Sequence, residues 1–131
     1  RKRNLDKTEW CLQQIEQAAQ RFQSAHKIPP KIACMGLAFK PNVDDLRESP
    51  AKYVTVQLID KGYDVIPVEP NIASHPDFNP VHYQTAVEQA DIIVFLVAHR
   101  EFKKVTLASD KTILDFCGMS QEISRADKLI N

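Results

Sequence analysis

The sequence predicts an α/β protein: an open, mostly parallel sheet flanked by helices and preceded by a connector helix. Three observations predict it. The apolar period switches repeatedly between helical and extended spacing along the chain. The run at residues 92–97, Ile-Ile-Val-Phe-Leu-Val, is apolar throughout, as a strand buried on both faces requires. Extended segments alternate with helical ones, the order that builds a doubly wound parallel sheet.

Each element has its own signal. Asp6 and Glu9 have the spacing of a capping box with Asp in place of Ser or Thr. After them Cys11, Ile15, Ala18, Phe22 and Ala25 form one apolar stripe of an amphipathic helix, which Pro29-Pro30 stops. Residues 32–35, Ile-Ala-Cys-Met, read as a buried strand ending at Gly36. A long loop follows to Glu48. Ser49-Pro50 is an N-cap with proline at the first helical position. That helix is expected to reach about Lys61, with Ala51, Val54, Leu58 and Ile59 inward and Gly62 as its C-terminal stop. Residues 64–68 are a second strand, weakened at its end by Pro67. A polar loop from Glu69 to about Val81 leads to a short helix over residues 85–90. Then comes the strand at 92–97, a helical turn or two within 99–105, and a fourth strand at 112–115 ending at Gly118. Ile123, Ala126 and Ile130 suggest a helical tail.

Composition narrows the function. The 131 residues fit one domain of the usual size, and 44% hydrophobic residues are enough for a core. Seventeen basic residues balance seventeen acidic ones, which argues against a general nucleic-acid binder. The longest apolar run is seven residues, against the ~20 a membrane span needs. The N-terminus is polar, without a signal peptide, and lacks Met, so a piece of a longer chain is expected. Cys11, Cys34 and Cys117 are odd in number and widely spaced, which fits neither a disulfide framework nor a zinc ribbon and suits a reducing cytoplasm. Four scattered histidines give no metal-ligand spacing, and no metal is expected.

In open α/β sheets ligands bind beyond the carboxyl ends of the strands. Those ends fall at Gly36 onward, at Glu69-Pro70-Asn71, at Ala98-His99-Arg100 and at 115–118. With only three glycines, neither glycine-rich phosphate motif occurs. Lys40 can supply the anion contact a glycine cradle would otherwise give, or be a solvated loop lysine. Phe39 beside it is a core plug or a stacking platform. Arg47, just before a helix start, can grip a phosphate or carboxylate with two N–H groups, or pair with Glu48 or Asp44 on the surface. Cys34 lies in an apolar strand and reads as inert. Cys117 sits where a reactive thiol can be placed, with no adjacent His to activate it. Asp115 is an acid/base candidate or a cap. Glu69 stands where a dinucleotide fold keeps its ribose-binding acid, without the glycine fingerprint that accompanies it.

The stretch Gly36-Leu37-Ala38-Phe39-Lys40-Pro41-Asn42-Val43-Asp44-Asp45-Leu46-Arg47-Glu48-Ser49-Pro50-Ala51 resembles the signature of the C-terminal, UDP-binding domain of the UDP-glucose/GDP-mannose dehydrogenase family. Val68-Glu69-Pro70-Asn71 and Leu96-Val97-x-His99-x-x-Phe102-Lys103 add to it, and the resemblance covers roughly residues 1–118. It implies a Rossmann-like domain over residues 31–131, with residues 1–30 a connector helix from a missing N-terminal or central region. Its form is nearest to members acting on UDP-N-acetyl-D-mannosamine, with UDP-glucose the alternative substrate and a non-catalytic nucleotide-binding module the alternative class.

The resemblance further implies that the whole enzyme oxidises the C6 alcohol of a UDP-sugar to the uronic acid in two NAD-dependent hydride steps, for surface polysaccharide synthesis. A cysteine captures the aldehyde, but it belongs to an upstream Gly-rich stretch that none of the three cysteines here matches. No catalytic residue is therefore expected in this chain, which would be inactive alone. Phe39 and Lys40 would contact the UDP-sugar, and Arg47 would reach NAD held mainly by the missing N-terminal domain. A homodimer through the helical connector and a cytoplasmic location are implied, with neither nucleic acid nor membrane as partner. One departure stands out: the family often has a basic residue in Asp-x-[Lys/Arg]-Gly after the last strand, where this chain has Cys117. That contact is lost or moves to a neighbour. The tail from Ser120 matches nothing in the family pattern.

Overall fold

The computed structural model describes residues 2–38, 49–71, 80–108, 110–119 and 124–125, with 2–6 and 124–125 described in their backbone only. The order is α1 (Lys2–His26), β1 (Lys31–Met35), α2 (Pro50–Asp60), β2 (Asp64–Val68), α3 (Tyr83–Gln89), β3 (Ile92–Phe95), a 3-10 helix (Arg100–Lys104), β4 (Thr106–Leu107), β5 (Thr112–Asp115) and β6 (Ser124–Arg125). The main sheet runs β2-β1-β3-β5 with every pairing parallel. β4 and β6 form a separate parallel pair.

Period-two alternation divides the core between the two faces of the sheet. Ile32 and Cys34 of β1 and Ile92 and Val94 of β3 pack against Leu12, Ile15, Ala18 and Ala19 of α1 and Val54 and Leu58 of α2. Ala33, Met35, Ile93 and Phe95 point the other way, onto Ala86 and Val87 of α3 and Phe102 of the 3-10 helix. Burial on both faces is why β1 and β3 read as unbroken apolar runs. Pro67 sits in β2, an edge strand, where a missing N–H is tolerated.

Ser49 caps α2 by accepting from the Lys52 amide at 3.2 Å, with Pro50 opening the helix. Polar contacts join α1 to the α2 end of the domain: Lys61 Nζ donates to Glu16 at 2.8 Å and the Tyr53 hydroxyl to Glu9 at 3.1 Å.

Several expectations need correction. α1 starts at Lys2, so Asp6 lies inside the helix and the Asp6–Glu9 capping box is not its start; nothing in residues 2–5 breaks a helix. The stripe is broader than expected: Leu12 and Ala19 join it, whereas Ala25 is exposed. Ile59 is 38% exposed and Thr55 takes the inward position, because position 55, not 59, shares the face of 51, 54 and 58. β3 ends at Phe95, since the Leu96 and Val97 amides both turn to the Met35 carbonyl. The tail is not helical at Ser124–Arg125, which pairs with β4, and both of these two-residue strands are too short for sequence periodicity to reveal.

Gly36 is fixed by sterics. Its φ is +101°, and an added Cβ would meet the Val97 Cβ at 2.6 Å. Gly36→Ala should therefore lower stability by about 3 kcal/mol. Urea unfolding checks this, and a loss under about 0.5 kcal/mol would contradict it.

Candidate functional site

The strand order reverses between β1 and β3, and the carboxyl ends of those strands carry a buried polar network among the described residues. Beyond β1 three successive amides turn over the sheet edge. Gly36 N–H donates to the Val68 carbonyl at 2.9 Å. Leu37 and Ala38 N–H both donate to Glu69 Oε1, at 2.9 and 3.0 Å. Glu69 follows β2 directly and is 2% exposed. Its Oε1 also meets His99 Nε2 at 2.9 Å, and His99 follows β3 and is fully buried. Its Oε2 accepts from the Asn71 backbone amide at 3.1 Å and from Asn71 Nδ2 at 3.2 Å.

The proton positions follow from this geometry. A carboxylate only accepts, so the Asn71 side chain must present its NH2 to Oε2. The same NH2 lies 3.3 Å from His99 Nδ1, which therefore accepts. His99 then carries its hydrogen on Nε2 and donates to Glu69. Three donors converge on Oε1 and two on Oε2, which is how a carboxylate is tolerated inside a protein. Burial, the largest single influence, pushes the Glu69 carboxyl upward. The hydrogen bonds donated by His99, Leu37 and Asn71 outweigh it and hold the group below its ordinary 4.5.

This arrangement assigns Glu69 a place that sequence position alone did not. It is not presented to a ribose; it grips the backbone of the turn after β1. In dinucleotide folds the amides of that turn face a ligand pyrophosphate. Here two of them are engaged by the protein's own carboxylate, so the described turn does not fit the pyrophosphate of NAD. His99 and Asn71 were legible as strand-end residues and within the family-like stretches, but not as partners of Glu69. The signal that marks them is their position at strand ends, where a polar residue following a fully apolar run has to find a buried partner.

On the α1/α2 face a cleft of about 220 Å³ opens at the same sheet edge. Lys7, Thr8 and Cys11 of α1, Pro50 at the start of α2, and Leu96 and Phe116 beyond β3 and β5 line it. Trp10, 51% exposed, packs edge-on against Phe116 at 5.7 Å between ring centroids. A second cavity of about 280 Å³ lies on the α3 side, where Glu69, His82, Tyr83 and Glu101 share its wall.

Phe39, Lys40 and Arg47 lie outside the described residues. The described chain stops at Ala38, on the turn held by Glu69, and resumes at Ser49, the cap of α2. The thiols are not poised for chemistry. Burial raises Cys34 to about 12 despite the Thr55 hydroxyl. Burial and then the Asp115 charge raise Cys117 to about 12. Burial also raises Cys11. Asp115 serves as a cap: its Oδ1 accepts from the Cys117 and Met119 amides at 3.1 and 3.0 Å. Among the described residues no group of three or more His, Cys, Asp or Glu is placed to hold a metal, and no helix is long and apolar enough to cross a membrane.

A parallel sheet with its polar network and cleft at the switch point defines a nucleotide-binding class of α/β domain. The chain belongs to the UDP-glucose/GDP-mannose dehydrogenase family, whose UDP binding domain matches residues 33–122. Among curated relatives, a UDP-N-acetyl-D-mannosamine dehydrogenase of Campylobacter jejuni is 42% identical, over 67% of this chain and 23% of its own length. An NDP-N-acetyl-D-galactosaminuronic acid dehydrogenase of Ralstonia nicotianae is 36% identical, over 88% of this chain and 28% of its own. The chain thus spans about a quarter of these relatives. A GDP-mannose dehydrogenase from Pseudomonas aeruginosa, solved as a ternary complex, superposes with a TM-score of 0.60 at 25% identity, over 79% of this chain and 28% of that one. A UDP-N-acetyl-mannosamine dehydrogenase from Staphylococcus aureus shares the fold, with a TM-score of 0.67 at 19% identity over 88% of this chain and 32% of that one.

Two outcomes are expected. A carboxyl held below its unfolded value stabilises fully above that value, and the contribution is lost as pH falls through the folded one. Glu69→Gln should cost about 2–3 kcal/mol at pH 7, because an amide NH2 must then face other donors. The gap from wild type should narrow as pH drops below 4.5. Urea midpoints from pH 7 to pH 3 read this; a gap independent of pH would contradict it. Cys117, raised to about 12, should be alkylated by iodoacetamide at pH 8 much more slowly than free cysteine. A rate equal to free cysteine's would place the thiol elsewhere.

Proposed function

We propose that this chain is the nucleotide-sugar-binding part of an NAD-dependent dehydrogenase that oxidises the C6 alcohol of UDP-N-acetyl-D-mannosamine to the uronic acid, supplying surface polysaccharide synthesis. The observation that carries the reading is the family match over residues 33–122, which contains the whole turn from Gly36 to the α2 cap. The Campylobacter relative at 42% identity supports the mannosamine substrate. The Ralstonia relative, matching 88% of this chain, favours an N-acetylgalactosamine-derived sugar as the second reading, and UDP-glucose is a third outcome of a substrate panel.

In this reading residues 1–30 are the connector and 31–131 the UDP-binding domain. Phe39 and Lys40 follow the Glu69-held turn in sequence and contact the UDP-sugar. Lys40 brings a cation to its diphosphate. Arg47, two residues before the α2 cap, reaches the NAD pyrophosphate with its planar fork. NAD, when bound, supplies the hydride acceptor. It is held mainly by a separate N-terminal domain, in keeping with a β1 turn whose amides are engaged by Glu69. The reactive cysteine lies in that separate part too, in keeping with the raised thiols here. The chain alone is inactive. The intact enzyme is a cytoplasmic homodimer joined through the connector helix.

Steady-state kinetics of the intact enzyme, with both ligands varied, test the two cations. Lys40→Ala should raise KM for the UDP-sugar by about tenfold or more and leave KM for NAD nearly unchanged, and Arg47→Ala should do the reverse. Equal effects on both ligands would contradict the assignment.

A further inference from the structure

The buried network around Glu69 supports an inference that rests on the reading of Phe39 and Lys40 given above. We propose that Glu69 is a positioning residue. Its carboxylate is an internal anion that occupies the amides of the β1 turn, is locked there by His99 and Asn71, and thereby sets how the next residues meet the nucleotide sugar.

Four observations support this. The Leu37 and Ala38 amides converge on one oxygen, at 2.9 and 3.0 Å, as they would on a ligand phosphate. Ala38 directly precedes Phe39 and Lys40 in the sequence, so the held turn is the point from which that stretch of chain departs. The carboxylate has no freedom of its own: His99 Nε2 holds Oε1 at 2.9 Å, and the Asn71 amides hold Oε2 at 3.1 and 3.2 Å. His99 in turn is fixed by the Phe102 ring, edge-on at 5.5 Å, within the α3-side core. The three strand ends that meet at the switch point are thus coupled through one carboxylate: β1 by its turn, β2 by Glu69 and Asn71, β3 by His99.

The device also has a selective consequence. An acid in the turn repels a second anion there, so a diphosphate is displaced toward the residues that follow Ala38. A dinucleotide bound in the glycine-cradle manner is refused at this position.

The test uses the intact protein, with UDP as the titrant in calorimetry and hydrogen exchange read at the Leu37 and Ala38 amides. Glu69→Gln and His99→Leu should each weaken UDP by about tenfold or more and speed exchange at both amides. His99→Gln, whose amide can still donate to Glu69, should recover most of the affinity. Val87→Ala, a cut in the α3 core away from the turn, should lower Tm yet leave UDP affinity unchanged. In turnover the Glu69→Gln effect should fall on KM for the nucleotide sugar, with kcat changed by no more than about twofold. If wild type and Glu69→Gln bind UDP equally, or exchange at the two amides is unchanged, the positioning role is overturned while the domain reading stands. If wild type binds no UDP, the domain reading falls and the positioning role with it.

Discussion

The contact between the Glu69 carboxylate and the Leu37 and Ala38 amides is the constraint around which the carboxyl edge of this domain is built. A buried carboxylate must be matched by donors, and the matching fixes everything near it. The β1 turn has to bring two amides to one oxygen. Gly36 has to adopt a positive φ under Val97 to allow that. His99 and Asn71 have to complete the set with one tautomer and one amide orientation. Each partner is placed by a different strand, so the network reports on the whole switch point rather than on one loop.

The rest of the fold serves that edge. Two apolar layers, α1 with α2 on one face and α3 with the 3-10 helix on the other, clamp β1 and β3 so that their ends lie side by side. Cleft and network then fall on opposite faces of the same edge. The chain from Ala38 to Ser49 joins them, with the Glu69-held turn at one end and the capped start of α2 at the other. Family membership gives this layout its meaning: a UDP binding domain whose β1 turn is held by its own carboxylate rather than left open as a glycine cradle.

Much of this was legible in the sequence, for identifiable reasons. β1 and β3 were visible because strands covered on both faces must be apolar throughout. The α2 start was visible because Ser49-Pro50 is a local signal that needs no tertiary partner. The start of α1 was misplaced because Asp6 can sit inside a helix as well as cap one. The β4–β6 pair was invisible because two-residue strands carry no period. The fate of Glu69 was half legible. Its position beyond β2 marked it as a site residue, but whether a carboxylate faces a ribose or a backbone depends on which donors the fold brings within 3 Å. That is set by His99, thirty residues away. At Cys117, where the resemblance led to the expectation of a basic residue, the raised thiol supplies no charge.

A crystal structure of the intact protein with a bound UDP-sugar tests the central claim most directly. The account predicts Glu69 still on the Leu37 and Ala38 amides, with the diphosphate beyond Ala38 against Lys40. A diphosphate seated on those two amides, with Glu69 swung away, would contradict it.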